Sequence, residues 1–157
     1  MIISGIYKIT FTGSYESYYG ESFDIYKRWE DHKEELRNGT HQNYKLQYLW
    51  DTYGEKHFEF KIVATIDTTV FNNPVYQKMI LLYFENLYIQ KYQTIEFGLN
   101  IENSFNKVLM GKKKIFSNKD SDICGSVLQR YNQGKIIEQD GIITKPKEEV
   151  SFGVRLF

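Results

Sequence analysis

Cysteine is almost missing from this sequence, with Cys124 the only one among 157 residues. A lone thiol excludes an internal disulfide framework and equally excludes a cysteine-based zinc finger. A net charge of either sign is missing too. Twenty Lys and Arg balance twenty Asp and Glu, so the chain as a whole exerts no pull on a polyanion, and any nucleic-acid binding must come from local patches. The longest strongly apolar run, Met79 to Phe84, is far too short to cross a bilayer. The opening Met1-Ile2-Ile3-Ser4-Gly5 lacks the basic region, apolar stretch and small-residue cleavage pattern of an export signal. Internal repeats and low-complexity tracts are also lacking. These absences predict a soluble, cytoplasmic protein with no membrane association and no disulfides.

Aromatic residues, by contrast, are plentiful. At 17% of the chain they predict a core built largely from Tyr and Phe. The length allows one domain with a sizeable core plus a small appendage.

Ile2 to Phe11 alternates with period two, placing Ile3, Gly5, Tyr7, Ile9 and Phe11 on one face of a half-buried strand. Thr12-Gly13-Ser14 supplies turn chemistry, and Glu16 to Gly20 returns as the second strand of a hairpin. Ser22 is read as the N-cap of a helix from Phe23 to about Asn38, with Gly39 as its stop. On that helix Ile25, Trp29, His32 and Leu36 form one stripe, bordered by Arg28. Asn43 to Tyr53 reads as a second helix ending at Gly54, and Phe58 to Ile66 as another alternating strand. Asn73-Pro74 opens a long helix to about Tyr92, apolar nearly all round and therefore buried. Leu99-Asn100-Ile101 is read as a short extended piece closing the unit.

Glu85 is the sharpest anomaly. Its neighbours one turn away are Leu81, Leu82, Tyr88 and Ile89, so no basic residue at helical spacing pairs with it. A buried carboxylate needs compensation. Either Glu85 is exposed or bridged to a lysine elsewhere, or it holds a metal ion in the manner common for Mg²⁺. Arg28 and His32, four apart on one helical face, are either surface residues paired with Asp31 or Glu35, or the lining of a phosphate site. Arginine offers a planar fork to a phosphodiester, and histidine titrates near neutral pH.

Gly5-Ile6-Tyr7, the spacing to Tyr18-Tyr19-Gly20, then Arg28, His32, Glu85 and Asn100 in Gly98-Leu99-Asn100-Ile101 together resemble the GIY-YIG nuclease superfamily. The likeness is nearest to the catalytic domain of phage-type homing endonucleases, and Asn38-Gly39-Thr40-His41, Lys45-Leu46-Gln47 and Tyr53-Gly54 are also similar to that group. One departure is Tyr19, where the family usually has isoleucine or valine; as a strand residue it is expected to pack inward.

The resemblance implies an α+β domain, a three-stranded antiparallel sheet flanked by helices, over residues 1–102. It also implies hydrolysis of double-stranded DNA with one divalent cation, Mg²⁺ or Mn²⁺. By position, Tyr7 would be the general base, with Tyr18 and His32 beside it. Arg28 would stabilise charge on the phosphate, Glu85 would hold the metal and Asn100 would orient the site. Whether Tyr7 or His32 is the base stays open, because a tyrosine with a reference pKa of about 10 is a poor base at neutral pH.

Residues 103–157 are expected to form a basic linker plus a small accessory element. Lys107, Lys112, Lys113 and Lys114, with Phe105 and Phe116 interleaved, are candidate DNA-phosphate contacts, the alternative being a solvated linker. A helix over 121–131, a hairpin around Asp140-Gly141 and a last strand within Val150 to Phe157 complete the reading. Their use would be DNA contact or self-association into a homo-oligomer. The competing readings are an inactive, nuclease-derived DNA-binding or inhibitory module, and a restriction-type nuclease.

Overall fold

In the computed structural model, the described residues are 1–105 and three short strands at 137–139, 142–144 and 154–156. The hairpin comes first. β1 (Gly5–Phe11) pairs antiparallel with β2 (Ser17–Ser22), so that Tyr7 lies opposite Gly20. α1 (Ile25–Arg37) and α2 (Tyr44–Tyr53) follow, and then β3 (Phe58–Ile66) pairs antiparallel with the other side of β1. α3 (Pro74–Tyr92) closes the unit. The expected three-stranded antiparallel sheet is therefore present, in the order β2-β1-β3.

β1 is buried along both faces, not half-buried, because helices cover the sheet on each side. Ile6 packs with Tyr19, Val63, Ala64 and the α3 residues Ile80, Leu81 and Phe84. Tyr7, Ile9 and Phe11 pack instead with Ile25 and Leu36 of α1 and Leu46 and Trp50 of α2. Period two placed Tyr7, Ile9 and Phe11 together correctly, but it could not show that a second core covers the opposite face.

Gly5 sits at a close approach of β1 to the β3 backbone. A Cβ there would lie 2.0 Å from the Ala64 carbonyl oxygen, with φ at +153°, and beside it a register shift at Ile6/Tyr7 marks a bulge in the pairing with β3. Only glycine fits such an approach.

The α1 N-cap is Asp24, whose side chain accepts from the Lys27 amide, and not Ser22. Ser22 belongs to β2 and uses its Oγ to accept from the Asp24 amide. Asn43 and Asn73 cap α2 and α3, and Pro74 begins α3. Leu99-Asn100-Ile101 is not a strand. It runs beside β2 and satisfies that edge with one backbone bond, Leu99 N–H to Ser17 C=O, plus the Asn100 carboxamide.

Tyr19 stacks on Tyr88 and Tyr92, with ring centroids 5.4 and 5.2 Å away. The departure from the family pattern is absorbed by aromatic partners on α3. Phe105 is buried against Tyr83 and belongs to the core, so it is withdrawn from the phosphate contacts expected of it.

β4 (Ile137–Gln139) and β5 (Ile142–Thr144) form the expected hairpin, and β6 (Val154–Leu156) pairs with β5 and with β3. The lysines at 107, 112, 113 and 114 and the helix expected over 121–131 lie outside the described residues.

Candidate active site

Beside β2, a cleft of about 200 Å³ is lined by Tyr18, Arg28, His32, Glu35, His41, Glu85 and Asn100, among others. A larger hollow of about 690 Å³ lies along β1, β3 and α3. Its described lining is aromatic and aliphatic with Lys8 and Lys61, and without histidine, arginine or carboxylate. The smaller cleft has the chemistry.

Tyr7 is directed towards this cleft from behind. Its side chain is 1% exposed, walled by the Tyr18 ring at 6.3 Å and by Trp29, edge-on at the same distance. Gly20 leaves room for the phenol: a Cβ at that position would come 2.5 Å from the Tyr7 hydroxyl and 2.8 Å from Tyr18. The second glycine of the motif is thus a steric requirement of the first tyrosine. The Tyr7 hydroxyl meets His32 Nε2 at 2.7 Å, His32 Nδ1 meets His41 Nε2 at 2.7 Å, and His41 Nδ1 accepts from the Asn43 amide at 3.0 Å.

Burial is the first cause that holds both phenols well above their ordinary range, reinforced by Tyr18 for Tyr7 and by Glu85 for Tyr18; Arg28 opposes the shift in both. Both are therefore neutral at physiological pH in the free protein. His32, buried beside Arg28 and His41, is pushed down to about 2, and His41 is lowered mainly by burial against the opposing pull of Glu35. Both imidazoles are neutral as well.

Arg28 is half-buried. Its Nη1 donates to Glu35 Oε1 at 3.2 Å, the partner expected for a surface ion pair, but the pair faces the cleft alongside Tyr18 and Glu85. Glu85 is 7% exposed. Burial, then the nearby Glu21 carboxylate, raises it to about 8, against opposing effects of Lys78 and of a hydrogen bond from the Glu21 backbone.

Glu21 was not picked out from the sequence. Its Oε1 bonds Lys78 Nζ, while its Oε2 is buried and has no partner among the described residues. Glu85 and Glu21 together offer hard oxygen ligands, and an arriving cation would favour the ionised form of Glu85 that burial and Glu21 disfavour, a donor set that suits Mg²⁺ or Mn²⁺. A second group, His32, Glu35 and His41, brings three ligand atoms within 4.8 Å, but the two imidazole nitrogens concerned are already bonded to each other.

Asn100 is fully engaged. Its Oδ1 accepts from the Tyr19 amide at 2.9 Å and from Thr94 Oγ1 at 2.7 Å, and its Nδ2 donates to the Tyr19 carbonyl at 2.8 Å. It holds β2, and with it Tyr18, at the cleft wall.

The model of the GIY-YIG catalytic domain matches residues 3–100. The chain belongs to the GIY-YIG nuclease family. Among solved structures it is similar to the catalytic domain of the homing endonuclease I-TevI, with 31% identity and a TM-score of 0.52 over 63% of this chain and 98% of that one. A mutant of the same intron endonuclease domain matches at 30% identity and a TM-score of 0.57, over 65% of this chain and 96% of that one. No curated protein matches. The matched region of this GIY-YIG domain contains every residue of the cleft named above. Among the described residues no helix is long and apolar enough to cross a membrane.

His41 and Glu35 could have been found from sequence as polar neighbours of His32, at i+9 and i+3. Glu21 had no sequence signal, because it meets Lys78 and Glu85 only across elements; Lys78, two turns before Glu85 on α3, and Thr94, six residues before Asn100, were close in sequence but were not picked out.

Proposed function

We propose that this GIY-YIG chain is a divalent-metal-dependent DNA endonuclease that hydrolyses phosphodiester bonds in double-stranded DNA, of the homing type. One observation carries the reading: a cationic group, Arg28, and a desolvated carboxylate, Glu85, face the same small cleft beside Tyr18 and His32, the latter bonded to Tyr7. Phosphodiester hydrolysis needs those opposed charges, one for the phosphate oxygens and one to recruit a cation.

In this reading Arg28 binds the non-bridging phosphate oxygens with its guanidinium fork. Its pairing with Glu35 aims the fork before DNA arrives. Glu85, with Glu21 behind it, would hold Mg²⁺ or Mn²⁺. Bound there, it would supply Lewis-acid stabilisation of charge on the phosphate. Tyr7, backed by His32, handles the proton of the attacking water, and Tyr18 lines its approach. Asn100 keeps the tyrosine-bearing strand in place. Lys107, Lys112, Lys113 and Lys114, grouped in sequence without an intervening acidic residue, add phosphate contacts.

A supercoiled plasmid incubated with the full chain tests this. Nicked or linear product is expected with Mg²⁺ or Mn²⁺, and none with EDTA. Arg28→Ala is expected to lower the rate by about 10²-fold or more, the scale for losing one preorganised charge donor. Cleavage at the wild-type rate by both Arg28→Ala and Glu85→Gln, with the fold intact, refutes the site assignment. DNA binding without product in any metal supports instead an inactive binding module.

A further inference from the structure

A backbone amide is a donor that cannot become an acceptor. The Asn43 N–H donates to His41 Nδ1 at 3.0 Å, so that nitrogen has no proton of its own. A neutral His41 then carries its hydrogen on Nε2, which lies 2.7 Å from His32 Nδ1. His32 Nδ1 is therefore the acceptor, and its hydrogen is on Nε2, 2.7 Å from the Tyr7 hydroxyl. Each link has one direction, set at its origin by the main chain. The reverse arrangement would put hydrogens on both Nδ1 atoms, and the one on His41 would face the Asn43 hydrogen.

Glu35 Oε2, 3.7 Å from His41 Nε2, would favour a second proton on His41, but the only free nitrogen is the one already accepting from Asn43. Arg28, on the α1 face beside both rings, opposes a positive charge on either. A cation bound to His41 Nε2 meets the same obstacle, because a neutral imidazole ligating through Nε2 carries its hydrogen on Nδ1.

We propose that the Asn43 amide and His41 are positioning residues that lock His32 as a hydrogen-bond donor to Tyr7, leaving the phenol oxygen and not the imidazole as proton acceptor. This rests on the reading of Tyr7 as the proton-handling group of the nuclease site. His32 cannot take the phenolic proton. That proton leaves through the Tyr18 hydroxyl, which is bonded to the Tyr7 hydroxyl and lines the cleft, and the phenolate is stabilised by the His32 Nε2–H. A water O–H bond then breaks, its proton passes to Tyr7 Oη, and its oxygen bonds to phosphorus as the bond to the leaving sugar oxygen breaks. The leaving oxygen takes a proton from solvent.

Long-range proton–nitrogen NMR of the full chain, free of DNA and in EDTA, reads the lock directly. At pH 7 both His32 and His41 are expected as neutral rings protonated on Nε2 alone. A proton on His32 Nδ1, or an imidazolium at either position, overturns the proposal. His41→Leu is expected to give His32 a mixture of tautomers and to lower kcat about 10²-fold with KM within about threefold. His41→Gln, whose amide N–H can donate to His32 Nδ1, is expected to recover at least about tenfold of that loss. Equal kcat in the two variants, with His32 protonated on Nε2 in both, also overturns it, and matched thermal midpoints establish that the variants are folded. Because the NMR measurement needs no substrate, a wild-type chain that fails to cut DNA refutes the nuclease reading and leaves the tautomer result standing.

Discussion

Replacing Glu85 with glutamine is expected to abolish cleavage and, at the same time, to make the free protein more stable. The carboxylate is held at about 8 in the fold against an ordinary 4.5. Between those values the native state binds a proton that the unfolded chain does not, so stability falls as pH rises through that window. At about 1.4 kcal/mol per decade, the penalty is under about 1 kcal/mol at pH 5, about 3 kcal/mol at pH 7 and about 5 kcal/mol above pH 8. Glutamine removes the charge and still accepts the hydrogen bond from the Glu21 backbone. For a domain of this size, 3 kcal/mol corresponds to about 6–12 °C in Tm. The assay is thermal unfolding in EDTA from pH 5 to 8 for both proteins. The difference between them isolates Glu85 from Glu21, Lys78, Glu102, Tyr7 and Tyr18, which face it in both. The two curves should converge near pH 5 and separate steadily above it. Mg²⁺ at ten times its Kd should then return about 1.4 kcal/mol to the wild type and nothing to Glu85→Gln. A variant no more stable than wild type at pH 8, or a difference independent of pH, refutes the picture of a desolvated carboxylate awaiting a cation.

Gly20→Ala forces a methyl group into the Tyr7 hydroxyl; destabilisation of about 1–3 kcal/mol and loss of cleavage are expected, measured by urea unfolding and plasmid nicking. Asn100→Ala leaves the Tyr19 amide and carbonyl without their edge partner, at a cost of about 2–3 kcal/mol, and amide exchange along β2 should accelerate ahead of that in β1. His32, held down at about 2, is protonated in the unfolded chain below its ordinary 6.5 but not in the fold. Its share of stability is thus present above 6.5 and lost as pH falls, by about 2 kcal/mol at pH 5. Urea midpoints at pH 7 and pH 5 in the Glu85→Gln background, where the opposing carboxylate effect is absent, measure it together with the share of His41, which burial lowers in the same direction.

Much of the domain was readable before any coordinates. Local signals set by neighbours in the chain survived intact: the Asn73 cap, Pro74 and Gly54 each act within a few residues. The alternation of Phe58–Ile66 held only as far as Ile62, because the bulge opposite Ile6/Tyr7 turns Ala64 and Ile66 into the core on the α3 side. The Ser22 cap did not, because β2 extends two residues beyond Gly20 and claims it, a matter of cross-strand pairing that no local pattern records. Leu99–Ile101 read as a short extended piece between turn signals. Whether it pairs is decided at the β2 edge, where a side-chain amide replaces the ladder.

The sequence by itself determined that an acid with no helical partner stood in an apolar helix, and that Arg28 and His32 shared a face. Only the tertiary structure decided what surrounds them. It buried Glu85 and set Glu21 beside it, which together make the carboxylate reluctant to ionise. It placed the Asn43 amide behind His41, which gives the hydrogen-bond chain its direction. It also showed why Gly5 and Gly20 are required, one pressed on the β3 backbone and one facing the Tyr7 hydroxyl. The reason is common to all three. Desolvation, hydrogen-bond direction and steric room depend on atoms that sequence separates and folding brings within a few ångströms.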